Sequence, residues 1–131
     1  RLISVGKTRA NSASELTSDY AKRLGRYCRF ESLILKSTPG ELLGQKCLSV
    51  VFDPSGSPLD SNGFSRLIET AGRDIDFYIG GADGFSDSVR KKAGRLVSLS
   101  KMTLPHELAR IVAVEQIYRA FTIMSGHPYP R

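Results

Sequence analysis

A chain of 131 residues that is 40% hydrophobic, 24% charged and 8% aromatic has the length of one domain and enough apolar material for a core, which argues against disorder. No apolar run approaches the roughly 20 residues of a membrane span. Cys28 and Cys47, with only His106 and His127 as imidazoles, fit neither a disulfide framework nor a metal site, so no membrane and no metal partner is expected.

Two reduced thiols and no charged-then-apolar leader point to a cytoplasmic protein, and a start on Arg1 rather than Met suggests that the natural N-terminus lies upstream. The net charge of +6 sits at the two ends. Residues 1–30 hold seven Lys/Arg against two Asp/Glu, residues 31–85 four against eight, and residues 86–131 eight against three. Two basic ends that meet in space attract polyanions such as nucleic acid.

Leu2–Val5 reads as a short strand. Leu16, Tyr20, Leu24 and Tyr27 recur at helical spacing, with Ser12 or Ser14 as a cap. Phe30–Lys36 is a strand ended by Pro39-Gly40, and Leu48–Asp53 is a second, stopped by the Pro54–Pro58 turn. Ser61–Ala71 is a helix with Phe64, Leu67 and Ile68 on one side. Asp76–Gly80 is a strand, Ser86–Ala93 a short basic helix, and Leu96–Leu99 the last strand. Pro105 opens a long helix to about Met124.

Strands separated by helices predict an α/β domain with a mostly parallel sheet. One connection breaks the rule. Between Lys36 and Leu48 there is too little chain for the usual crossover helix, so either these strands are antiparallel or residues have been lost near Gly40. The last helix is apolar around nearly its whole girth, at Leu108, Ile111, Val112, Val114, Ile117, Tyr118, Phe121 and Met124. A sheet buries one stripe of a helix, so a second wall is needed, and a second copy of the chain is expected to supply it. Glu115 and Arg119 have the spacing of an intrahelical ion pair.

Ligands bind open α/β sheets at the carboxyl ends of strands. Three sequence features fall there: Phe52-Asp53 before its turn, Gly80-Gly81-Ala82-Asp83-Gly84, and Ser100–His106. Glycines there let backbone approach a ligand closely. The Ser100–Leu104 loop offers backbone groups to an adenine edge between the apolar Met102 and Leu104. No nucleophile triad and no paired-carboxylate site can be singled out.

Taken together, Ile79–Gly84, Leu99–His106, Glu115-Gln-Ile-Tyr-Arg-Ala120 and His127-Pro-Tyr129 resemble, in order and spacing, the SPOUT or α/β-knot methyltransferases. The nearest resemblance is to the family that methylates N3 of a pseudouridine in bacterial large-subunit (23S) ribosomal RNA, the large subunit methyltransferase H family. Leu2–Lys7 fits that family's first strand. The resemblance implies one α/β-knot methyltransferase domain over residues 1–131: helices flanking a mostly parallel sheet, with a deep C-terminal trefoil knot. It implies a homodimer that uses S-adenosylmethionine and acts on the assembled ribosome. By family position Phe52 contacts the cofactor, Gly80 and Gly81 form the glycine turn, and Ser100, Lys101, Met102, Thr103, Leu104 and Pro105 wrap the adenosine.

Methyl transfer from a sulfonium asks mainly for alignment, plus a base or cation for the N3 proton and the developing anion. The family tail reads His-Pro-Tyr-His-Arg, whereas here it is His127-Pro128-Tyr129-Pro130-Arg131, so the second histidine is lost. The remaining catalytic candidates are Arg131 for charge, Tyr129 for orienting or stacking on the base, and His106 as proton acceptor or support. His127 is open between a structural and a catalytic role. Family members run about twenty residues longer, in the region of the short connection near Gly40, which favours a lost segment over an antiparallel join. The alternatives are a non-catalytic RNA- or ribosome-binding module of the same fold, or a SPOUT methyltransferase with a different RNA target.

Overall fold

The computed structural model describes residues 1–6, 11–42 and 44–129; Lys7 of the opening motif, Pro130 and Arg131 lie outside them. The elements run β1 (Leu2–Val5), α1 (Asn11–Leu24), β2 (Ser32–Leu35), β3 (Leu48–Pro58), α2 (Ser61–Thr70), β4 (Ile75–Ile79), α3 (Asp87–Lys92), β5 (Arg95–Ser98) and α4 (His106–Ser125). The five strands form one sheet in the order β2-β1-β4-β3-β5, and every pairing is parallel.

Strand side chains alternate between faces, and the sequence uses both. Leu2, Val50, Phe52, Phe77 and Ile79 point to the face covered by α1, α2 and α4. Ile3, Val51 and Tyr78 point to the other, where Phe85, Val89 and Leu42 cover them. Fully buried strands of this kind read as continuous apolar runs, as Val50-Val51-Phe52 and Phe77-Tyr78-Ile79 do.

The antiparallel alternative for β2 and β3 is excluded. Both strands are parallel to β1 and β4, which lie between them. Adjacent parallel strands need a crossover, but β2 and β3 are not adjacent, and on the way between them Leu42 packs on the Tyr78 face of the sheet. The chain enters β3 past Gly44, where a side chain would strike the Asp76 carboxylate. That carboxylate, 1% exposed, receives Nε of Arg1 at 2.9 Å and Nη2 at 2.8 Å. The two-pronged ion pair pins the amino ends of β1 and β4 together.

Helix ends follow local chemistry. Asp60 caps α2 by accepting from the Gly63 amide at 2.7 Å, and Ser86 caps α3 by accepting from Val89 N at 3.3 Å. Ser12 and Ser14, expected as caps, lie inside α1, which begins at Asn11 and ends at Leu24 rather than Tyr27. Part of the girth of α4 is taken up within the chain. Its Tyr118 packs against Tyr20 and Tyr27 beside α1. On the other flank, Ser65 of α2 donates to Ala120 O at 3.3 Å and Ser61 to Gln116 at 2.7 Å. Val114, Ile117 and Tyr118 are buried, whereas Ile111, Val112, Phe121 and Met124 stay half-buried and Leu108 is 50% exposed.

The second expectation to change concerns β3. The Pro54–Pro58 stretch does not end it. After Phe52 pairs with Val97, the chain makes an excursion, and Ser57 pairs with Val97 again, Pro58 with Ser98. Gly56 lies directly on the backbone of Leu96 and Val97: a Cβ there would come within 2.6 Å of both. Residues 53–58 therefore wrap the end of β5, and only glycine permits the contact.

Candidate active site

Because all five strands are parallel, their carboxyl ends share one edge of the sheet. Along that edge lie, side by side, the end of β1 at Gly6, the Gly80-Gly81 turn after β4, Phe52-Asp53 in β3 and the Ser100–Pro105 loop after β5. The last three, with His106, line a cavity of about 640 Å³, within the range of small-molecule sites. Of the residues expected to hold a cofactor, Phe52, Gly80, Gly81, Ser100, Met102, Thr103, Leu104 and Pro105 all line it. Lys101 does not; it is exposed on the outer side of the loop.

Each wall has a local cause. Gly84 has φ +66° and its amide donates to Gly81 O at 3.0 Å, a tight turn that needs the left-handed conformation at this residue. Gly80 is pressed against that turn, since a Cβ would lie 3.0 Å from Gly84 Cα and 3.1 Å from the Phe85 ring. The loop after β5 is folded by its serines: Ser98 Oγ donates to Ser100 O at 2.9 Å, and Met102 N donates to Ser100 Oγ at 2.9 Å. Met102 remains 79% exposed at the mouth.

His106, the first residue of α4, also lines the cavity. Its ring rests over Gly6, whose missing Cβ would lie 3.3 Å from Nε2 and whose φ is +98°. The imidazole thus stands at the β1 end of the cleft, two strands from Asp53.

Asp53 is the wall residue that the sequence reading passed over. It carries the cavity's one carboxylate among the described residues and is 9% exposed. Its Oδ1 accepts from Ser55 N at 2.9 Å and Ser55 Oγ at 2.5 Å, and its Oδ2 lies 3.4 Å from Arg90 Nη1. Arg90 also pairs with Asp87. Burial pushes the Asp53 carboxyl up, but the Ser55 hydrogen bonds and the Arg90 guanidinium outweigh it and hold the group below the ordinary carboxylate value. The available signal was position, directly after Phe52 at a strand's carboxyl end.

Tyr129 is not brought to this cavity. Its hydroxyl lies 3.1 Å from that of Tyr20 and donates to Glu115 Oε1 at 3.3 Å, while its ring meets Tyr118 edge-on at 4.9 Å and lies under the Arg119 guanidinium at 4.7 Å. Burial, the Tyr20 hydrogen bond and the Glu115 charge raise this phenol well above its ordinary value, so its proton is retained at neutral pH. Glu115 and Arg119 form the expected ion pair at 2.6 Å. They lie nine and thirteen residues beyond His106, roughly 14–20 Å along the helix axis. His127 is exposed, and its amide donates to Thr122 O at 3.0 Å. Among the described residues no group of three His, Cys, Asp or Glu could hold a metal ion, and no helix is long and apolar enough to cross a membrane.

Comparison with known proteins bears on the family and the fold. A family model described as "Predicted SPOUT methyltransferase" matches residues 1–130. The chain is 40% identical over 135 positions to "Ribosomal RNA large subunit methyltransferase H" of Solibacter usitatus, covering 99% of this chain and 97% of that protein. It is 38% identical over 154 positions to the protein of the same name from Streptococcus thermophilus, covering 98% and 97%. That alignment exceeds the 131 residues of this chain, so the Streptococcus protein carries insertions relative to it. A crystal structure of a probable rRNA-methyltransferase from Porphyromonas gingivalis shares the fold, with a TM-score of 0.58 at 15% identity over 94% of this chain and 68% of that one.

Proposed function

This chain belongs to the SPOUT methyltransferase family, and from that premise we propose that it methylates N3 of a pseudouridine in large-subunit (23S) ribosomal RNA, on the assembled ribosome, using S-adenosylmethionine. The observation that carries the reading is the cavity itself. Eight of the nine residues named for the cofactor converge on one cleft at the strand ends.

The cleft fits such a ligand. Phe52, Ile79, Leu99 and Leu104 give apolar walls for a purine, Gly80 is pressed too close to the turn for any side chain, and Asp53 offers an acceptor. S-adenosylmethionine, when bound, supplies an electrophilic methyl whose transfer leaves the bonding pair on sulfur. The protein's contribution is then alignment and proton handling. His106 is the imidazole on the cavity wall positioned to accept the N3 proton, and Arg131 would balance charge on the ring. Tyr129 sits far from the cavity of its own chain, so a role in orienting the base requires the cavity of a second copy. A homodimer is accordingly part of the proposal, supported by the half-exposed Leu108 on α4. Residues 1–131 are read as one domain with a C-terminal trefoil knot. Action on the assembled ribosome would place the protein in the cytoplasm.

Isothermal calorimetry with S-adenosylhomocysteine is the first test. Saturable binding is expected, and none at millimolar ligand refutes the reading. Radiolabelled methyl transfer to ribosomes, with the modified nucleotide mapped by mass spectrometry, tests the target. Binding of cofactor and RNA without transfer would instead support a non-catalytic module, the reading that Pro130 in place of the family histidine favours.

A further inference from the structure

The cavity contains a charge that alignment of a methyl group does not require. We propose that Asp53 is a ligand-binding residue whose carboxylate accepts a hydrogen bond from the sugar hydroxyls of the nucleoside. This rests on the cofactor reading above and assigns one part of the ligand to one side chain.

Burying a carboxylate is costly unless its oxygens are used. Oδ1 is used: both its acceptor sites are filled by Ser55 N and Oγ. Oδ2 is not. Its one contact among the described residues, to Arg90 Nη1, is long at 3.4 Å, well beyond the usual 2.9 Å or so of such bonds, and leaves capacity for a second donor. Ser55 and Arg90 therefore fix the orientation of the group and keep it ionised, with spare acceptor capacity on a residue that lines the cavity. Arg90 is a positioning residue acting through Asp53.

Position argues for the sugar. The Ser100–Pro105 loop, the adenine wall, follows β5, and Asp53 follows the residue of β3 that pairs with Val97 of β5. Neighbouring strands are about 4.8 Å apart, the separation between a purine ring and the hydroxyls of its ribose. A carboxylate at a strand end is also the group that reads ribose hydroxyls in dinucleotide-binding sheets. His106, the other titratable wall residue, lies at the opposite end of the cleft and is out of reach.

Asp53→Asn in the full chain removes the charge while Oδ1 can still accept from Ser55. Calorimetry is run with S-adenosylhomocysteine, 5′-methylthioadenosine, adenosine, and 2′- and 3′-deoxyadenosine. The variant should weaken the first three alike, on the order of 10- to 100-fold, as expected for a hydrogen bond to a charged group. Wild type should bind at least one deoxynucleoside about tenfold or more weakly than adenosine, and the variant should lose that discrimination. Equal wild-type affinity for adenosine and both deoxynucleosides overturns the inference, whatever the variant does. So does a variant that weakens S-adenosylhomocysteine but not 5′-methylthioadenosine, which would assign Asp53 to the amino-acid arm. A deoxy penalty unchanged in the variant likewise overturns it, by assigning any loss to the fold. Absence of all nucleoside binding by wild type overturns both readings, whereas tight S-adenosylhomocysteine binding indifferent to Asp53→Asn overturns this one alone.

Discussion

Adjacent glycines of the turn after β4 should respond differently in stability to the same added methyl group. Neither Gly80 nor Gly81 has a positive φ, so alanine meets no conformational barrier at either, and the difference is steric. At Gly80 the new Cβ would lie 3.0 Å from Gly84 Cα, 3.1 Å from Gly84 C and 3.1 Å from Phe85 Cε2. All three are short of the 3.5–4.0 Å or so of a comfortable carbon contact. Two of the three are backbone atoms of a turn already closed by its own hydrogen bond, so they cannot swing aside. Overpacking of this kind costs about 1–3 kcal/mol, or roughly 4–12 °C in melting temperature for a chain of this size. At Gly81 the nearest atom is Val5 Cγ1 at 3.4 Å, an ordinary contact, and the change should stay within about 0.5 kcal/mol. Urea denaturation measures the stabilities, and calorimetry with S-adenosylhomocysteine measures the cavity. Gly80→Ala should lose stability while Gly81→Ala keeps it, and affinity should fall in both because both glycines line the cavity. Equal stability of the two variants would refute the steric account of this wall.

Three further outcomes follow from other contacts. Gly6→Ala combines a left-handed φ of +98° with a methyl 3.3 Å from His106 Nε2; it should cost about 1–3 kcal/mol and, by displacing the imidazole, slow single-turnover methyl transfer more than it weakens cofactor binding. The Arg1 guanidinium holds the Asp76 carboxyl below its ordinary range against the opposing effect of burial. The resulting stabilisation is complete above about pH 4 and is lost as pH falls through the folded value; thermal melts from pH 7 to 2 should show it, and a Asp76→Asn chain that keeps the same acid-side slope would contradict the assignment. Tyr129→Phe removes the hydroxyl contacts to Tyr20 and Glu115, so stability should fall by about 1 kcal/mol with S-adenosylhomocysteine affinity unchanged; a large loss of that affinity would mean the tail reaches its own cavity.

The alternation of strands and helices, and the edge of the sheet where the cavity opens, were legible because two periodicities and glycine placement carry them. Val50-Val51-Phe52 and Phe77-Tyr78-Ile79 announce strands buried on both faces. What failed depended on contacts distant in sequence. Pro54, Gly56 and Pro58 read as a stop, yet β3 resumes because Gly56 can lie on the backbone of Leu96 and Val97, a partner that no local pattern reveals. The route of 36–47 could not be read either, since a crossover rule for adjacent strands says nothing of two strands that β1 and β4 separate. Asp53 was visible at the right place, but its importance comes from burial and from Ser55 and Arg90, and Arg90 lies on a different element. Tyr129 shows the reverse: a motif marks it for catalysis, while its aromatic and hydroxyl partners hold it along α4.

The seating of β5 between two stretches of β3 imposes an order of assembly. Neither Phe52 nor Ser57 can meet its partner before Val97 has been synthesised, and the Ser100–Pro105 loop that completes the cavity follows later still. A nascent chain thus lacks the cavity until that loop has left the exit tunnel. During refolding, added ligand should hasten only the last docking event, leaving the earlier and slower closure of this long-range loop untouched.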